Sequence, residues 1–176
     1  CKGKIGETYN MGGTNTINIG KFLDILKKKA MVKIKSSIDN QGFPKSRNIK
    51  QLIFYLKYFI LIREWFKESQ NPIPEHIEET IYYLGQSYAF LCQKVESNFL
   101  FNGNNNSDNS DFDNYLKRLG YKFKNELHDF GGYILLKNQK ICLIMDCGST
   151  PNSKYTKDYQ AGTLSFEIIT NGKKLI

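Results

Sequence analysis

The chain has 176 residues, enough for one ordinary domain or parts of two, and its 40% hydrophobic content can support a core rich in aromatics (eleven Tyr, twelve Phe). The formal charge of +8 concerns partners, not fold: acidic polysaccharide, nucleic acid and anionic lipid all fit, as does a lysine-rich solvated surface. Four Cys and two His, with no C-x-x-C pair, argue against a zinc ribbon or finger, and no run interleaves basic and aromatic residues in an RNA-binding signature.

In chain order, residues 20–38 carry the first helical pattern. Phe22, Leu23, Ile25, Leu26, Ala30, Met31 and Ile34 recur at helical spacing, with lysines on the other face. Asp39–Gly42 stops it, and Pro44 keeps the connector extended. Residues 47–69 give the strongest helix, capped by Ser46 or Asn48, with Ile49, Leu52, Ile53, Leu56, Phe59, Ile60 and Trp65 on one face. Lys50, Lys57, Arg63 and Glu64 interrupt its apolar run, which excludes a membrane span. After Pro72 and Pro74 a third helix runs to about Lys94, with Ile77, Ile81, Leu84, Tyr88 and Leu91 inward. These segments read as neighbouring hairpins of an α/α array.

The texture then changes. Residues 98–101 read as a short strand, 102–111 as a polar loop, and 112–119 as a short helix ending at Gly120. Asp108, Asp111 and Asp113 do not match an EF-hand, and no metal is expected. Strands follow at 131–137, 140–146, 162–169 and 173–176, joined in part by turns at Lys137–Lys140 and Thr170–Lys173. Helices grouped before strands predict an α+β chain, not an alternating sheet. Cys92 and Cys142 read as small core residues, and a Cys142–Cys147 disulfide stays open. The Cys1 start and the strand-like run at the other end lead us to expect a piece of a longer protein.

Four blocks carry a family likeness: Gly42-Phe43-Pro44-Lys45-Ser46-Arg47-Asn48, Asn98-Phe99-Leu100-Phe101-Asn102-Gly103, Asp146-Cys147-Gly148-Ser149, and Ala161-Gly162-Thr163-Leu164-Ser165-Phe166-Glu167. In order and spacing the chain resembles the heparinase II/III family, at the junction of its helical toroid and C-terminal β-domain. The resemblance implies the end of an (α/α) toroid at 20–96, and the start of an antiparallel β-sandwich at 97–176. It implies β-elimination of an acidic, glycosaminoglycan-like polysaccharide with no cofactor. A base removes the proton α to a uronic carboxylate, an acid protonates the leaving oxygen, and a neutraliser offsets the enolate. It also implies a periplasmic or cell-envelope location, with neither nucleic acid nor a membrane span as partner. Relatives carry histidines just before Ser-Arg-Asn and just before Ala-Gly; here Phe43, Pro44 and Gln160 stand there. A non-catalytic glycan-binding relative is therefore the alternative. Residues 1–19 are set apart: Gly3–Asn15 resembles a late strand and loop of dTDP-glucose dehydratases, which gives a nucleotide-sugar enzyme as a third reading.

Tyr159 and His128 are the candidate acid or base. Lys45, Arg47, Asn48, Gln160 and Tyr155 are the candidate substrate contacts. Each has a plainer alternative. Arg47 either holds a carboxylate or sulfate in bidentate fashion or ties its turn to the β-domain. Asn48 either positions substrate or caps the helix. Tyr155 and Tyr159 are otherwise rim aromatics. His76 opens a helix and reads as exposed, Trp65 reads as core, and Glu167 alternates with Phe166 and reads as solvent-facing.

Overall fold

The computed structural model describes residues 8–9, 17–18, 28–29, 32–93, 99–103, 109–157, 159, 162–171 and 173–175. The chain divides into two units, Cys1–Ser36 and Ser37–Ile176. In the first, β1 (Thr8–Tyr9) pairs antiparallel with β2 (Ile17–Asn18), and residues 32–36 are helical. Most of the dehydratase-like stretch and of the 20–38 pattern lies outside the described residues.

The second unit opens on the Gly42–Asn48 turn. Asp39 organises it by accepting the Gln41 and Phe43 amides on Oδ1 at 2.9 and 2.8 Å. Helix α1 (Ile49–Glu68) follows, and Asn48 is its cap: Oδ1 accepts the Lys50 and Gln51 amides at 2.9 and 3.3 Å. Asn48→Ala is expected to cost about 1 kcal/mol, read as a lower midpoint in urea at unchanged slope. Helix α2 (Glu75–Cys92) returns beside α1. Leu52, Leu56, Phe59, Ile60 and Ile62 of α1 are fully buried, as are Ile77, Leu84 and Tyr88 of α2. Trp65 is only half-buried, against the core position expected for it.

Over its described residues, 99–101, the strand expected at 98–101 does not form. Residues 99–100 are irregular and Phe101–Gly103 is a 3-10 turn. Phe99 and Phe101 are both buried, with stacked rings 6.3 Å apart. Their ring packing, not a strand ladder, organises this stretch. Helix α3 (Ser110–Arg118) ends in a Schellman motif: the Gly120 and Tyr121 amides donate to Lys117 O and Leu116 O, and Gly120 takes the left-handed φ of +82° that this cap requires.

Five antiparallel strands then form a meander in the order β3 (Asp129–Phe130), β4 (Tyr133–Lys137), β5 (Ile141–Asp146), β6 (Phe166–Thr170), β7 (Lys173–Lys174). The α+β class therefore holds. Strand β6 starts later than the sequence suggests. Ser165 folds back to donate from N and Oγ to Gly162 O, and Leu164 sits at φ +64°, so 162–165 is a turn. Register puts Tyr133, Leu135, Cys142, Ile144, Asp146, Glu167 and Ile169 on one buried face. The other face is also apolar, yet Leu136, Ile141 and Phe166 are 57%, 47% and 42% exposed. Glu167 does not face solvent: it is buried, accepts the Leu100 amide and pairs with Lys174 Nζ at 2.7 Å. No disulfide joins Cys142 and Cys147. Among the described residues no helix is long and apolar enough to cross a membrane.

Candidate functional site

The inner face of the sheet meets the Gly42–Asn48 turn at one buried polar node. Arg47, at φ +58°, aims its guanidinium at the end of β5. Its Nη2 pairs with Asp146 Oδ1 at 2.5 Å and its Nε donates to Oδ2 at 3.3 Å, a two-point fork. Two further donors reach Gly131 O (3.1 Å) and Gly132 O (3.3 Å). The guanidinium carbon lies 4.2 Å from the centroid of the Tyr133 ring. Four of the five guanidinium donors are thus committed within the protein. The side chain keeps 10% of its surface, and Asp146 keeps none.

The second block supplies the next partner. Asn102, in the left-handed region at φ +50°, donates from Nδ2 to Asp146 Oδ2 at 3.2 Å and lies 3.5 Å from Arg47 O. Tyr133 OH donates to Arg47 O at 3.3 Å. The third block closes on itself, with the Gly148 amide donating to Asp146 Oδ1 at 3.0 Å. A Cβ at position 148 would run into the Arg47 guanidinium, so only glycine fits. The fourth block brackets Asp146: Leu164 N donates to its carbonyl, and its own amide donates to Ser165 O. All four blocks of the likeness meet here. Burial pushes the Tyr133 phenol well above its usual range, with the Arg47 cation only partly opposing it. The net effect leaves the neutral phenol favoured, in keeping with its donation to Arg47 O.

Other candidates are placed differently. Lys45 is exposed, with Nζ 6.0 Å from the centroid of the Tyr155 ring, and Lys154 Nζ lies 5.5 Å from the same ring. Tyr159, half-buried, shares a 2.7 Å hydrogen bond with Thr163 Oγ1. Gln160 lies outside the described residues. His128 is exposed, 3.3 Å from Leu135 O, in a shallow hollow with Leu136, Ile141 and Leu143. Those neighbours alternate onto the sheet face opposite Tyr133 and Asp146, so His128 lies away from the buried node. His76 is exposed at the start of α2. Among the described residues no three His, Cys, Asp or Glu are grouped to hold a metal. Burial pushes the Cys92 thiol up, as suits an inert core residue.

Residues 124–176 match the family described as Heparinase II/III-like, C-terminal. No curated protein and no solved structure matches the chain. The matched segment holds the whole five-stranded sheet, with Tyr133 and Asp146 of the node, while Arg47 and Asn102 precede it. Asp146, Asn102 and Tyr133 were not singled out from sequence. A signal existed for Asp146. It follows Cys142 and Ile144 at strand period on an apolar run, which places a carboxylate on the core face, where it needs a cationic partner.

Proposed function

We propose that this chain is the helix-to-sheet junction of a heparinase II/III-like polysaccharide lyase that acts by β-elimination on uronate-containing polysaccharide. The observation that carries the reading is convergence. Four stretches far apart in sequence, one before α1 and three after α2, close on one buried node, and the sheet segment matches that family's C-terminal domain. In this reading α1 and α2 end an (α/α) toroid, and the sheet is one layer of a sandwich. The α1 stripe Phe54, Tyr58 and Leu61 supports a further helix, since Phe54 and Leu61 are 59% and 38% exposed. The apolar outer face of the sheet supports a second layer.

The acidic glycan lies along Lys45, Lys154, Tyr155 and Tyr159. The two ammonium groups face its carboxylate or sulfate, and the Tyr155 ring offers a surface for a sugar face. Tyr159 carries the proton in the elimination, and Gln160 beside it contacts substrate. Arg47 takes no part in binding, because Asp146 and the two carbonyls hold its guanidinium. One observation favours the non-catalytic reading. Phe43, in the block where relatives carry a histidine, is 2% exposed and packs its ring 5.4 Å from Phe130 and 5.8 Å from Tyr133. It is core, with no acid or base to offer.

The test incubates the protein with alginate, hyaluronan, chondroitin sulfate and heparan sulfate and follows the absorbance of unsaturated uronate. The lyase reading expects a rise with at least one of them. Retention on immobilised heparin that falls with salt, without any rise, would leave the binding reading in its place. Neither cleavage nor retention would remove both.

A further inference from the structure

A second face of the helical hairpin holds an open cleft of about 310 Å³ that the lyase reading does not use. Its floor is α2, and its walls are the 40–41 turn and the 124–127 connector. Tyr82 and Tyr83 stand in it edge to face, centroids 5.4 Å apart, and keep 57% and 40% of their surface exposed. Two large rings are left this open on a helix whose other aromatics, Tyr88 and Phe90, are fully buried, so among the described residues they take no part in the core. Gln41 and Gln86 line the same cleft, and each carries a primary amide able to donate and to accept. Its charges, Lys124 and Glu126, are one of each sign.

The walls are pinned. Ser87 Oγ donates to Gln41 O at 2.9 Å, which fixes the turn to α2. Gly42 holds φ +84° and packs so closely that a Cβ would collide with the Tyr83 carbonyl. On the other side, Asn125 donates from Nδ2 to Gln86 O at 3.4 Å and accepts the Leu127 amide at 3.0 Å. A cleft with both rims tied to its floor loses little conformational freedom on binding.

We propose that this cleft is a sugar-binding subsite for neutral pyranose residues. A pyranose has an apolar C–H face, which an exposed tyrosine ring covers, and hydroxyls that both donate and accept, which primary amides match one for one. The balanced charge disfavours a polyanion, in contrast to the lysines around Tyr155. The proposal is independent of the lyase reading.

Calorimetric titration of the full chain with cellohexaose, mannohexaose, xylohexaose and chitohexaose tests it, with a hyaluronan hexasaccharide as the acidic comparison. At least one neutral hexasaccharide is expected to bind with an affinity unchanged from low to high salt. Tyr83→Ala is expected to weaken that binding about tenfold, the scale of one lost aromatic contact, and Gln86→Leu to weaken it by a similar factor. Tyr82→Ala provides a second aromatic variant; both rings are exposed, so the fold tolerates their loss. Binding of none of the neutral sugars overturns the proposal. So does binding that salt abolishes, or binding that all three variants leave intact.

Discussion

Asp146→Ala is expected to destabilise the second unit by about 3–5 kcal/mol, a large part of the roughly 5–15 kcal/mol that holds an ordinary domain. The reason is what remains behind. Arg47 keeps 10% of its surface and would stay inside without its counter-charge, while the Gly148 amide and the Asn102 side chain each lose an acceptor. Asp146→Asn keeps an oxygen for the Gly148 amide but leaves Arg47 unneutralised, so it should fall between wild type and Ala. The double change Arg47→Met with Asp146→Leu removes both charges and should cost less than Asp146→Ala alone, because no ion is stranded. Urea denaturation measures all three. A loss below about 1 kcal/mol for Asp146→Ala would mean that the pair behaves as an exposed surface bridge.

Under the proposed lyase reading, Tyr159→Phe is expected to lower kcat on the cleaved polysaccharide by about 10²–10⁴, the range of a positioned acid or base. The change removes one hydroxyl whose partner, Thr163, is itself exposed, so stability should move by no more than about 1 kcal/mol. KM should stay within a few-fold, because the ring remains to meet the sugar. Full activity in the phenylalanine variant would take the proton-carrying role away from Tyr159. An equal loss of activity and of thermal stability would assign Tyr159 a structural role instead.

The helices were the most legible part of the fold. Ile77, Ile81, Leu84, Tyr88 and Leu91 form a helical stripe that only one packing satisfies, and all five are buried as expected. The β4–β5 hairpin was legible for the same reason at period two. The short segments misled. Asn98–Phe101 has strand composition, but burying both Phe99 and Phe101 by ring stacking needs no ladder. Gly162–Ser165 looked continuous with β6 because sequence pattern does not show that Leu164 adopts a left-handed φ. Glu167 is the sharpest case: alternation put it opposite Phe166 correctly, but the face it occupies is the buried one. Its partners, the Leu100 amide and Lys174, come from outside its own strand, and local patterning does not see them.

The site divided along the same line. Capping by Asn48 is local and was readable as one of two roles. The role of Arg47 depends on Asp146, 99 positions later, and neither residue type alone distinguishes a substrate clamp from an internal tie. The four sequence blocks have a physical content that the pattern did not disclose. They are the four edges of one ion-centred joint, so their spacing records where the chain must return to enclose a charge.

That joint is tested most directly by a double-mutant cycle on Arg47→Ala and Asp146→Ala, followed in urea by two probes. Fluorescence of the single tryptophan, Trp65, reports α1, and amide exchange at Ile144 reports β5. A coupling of about 2–3 kcal/mol is expected, with both probes unfolding together in the wild type and separating in the variants. Costs that add to within about 0.5 kcal/mol, or helices and sheet that already unfold apart in the wild type, would contradict the joint.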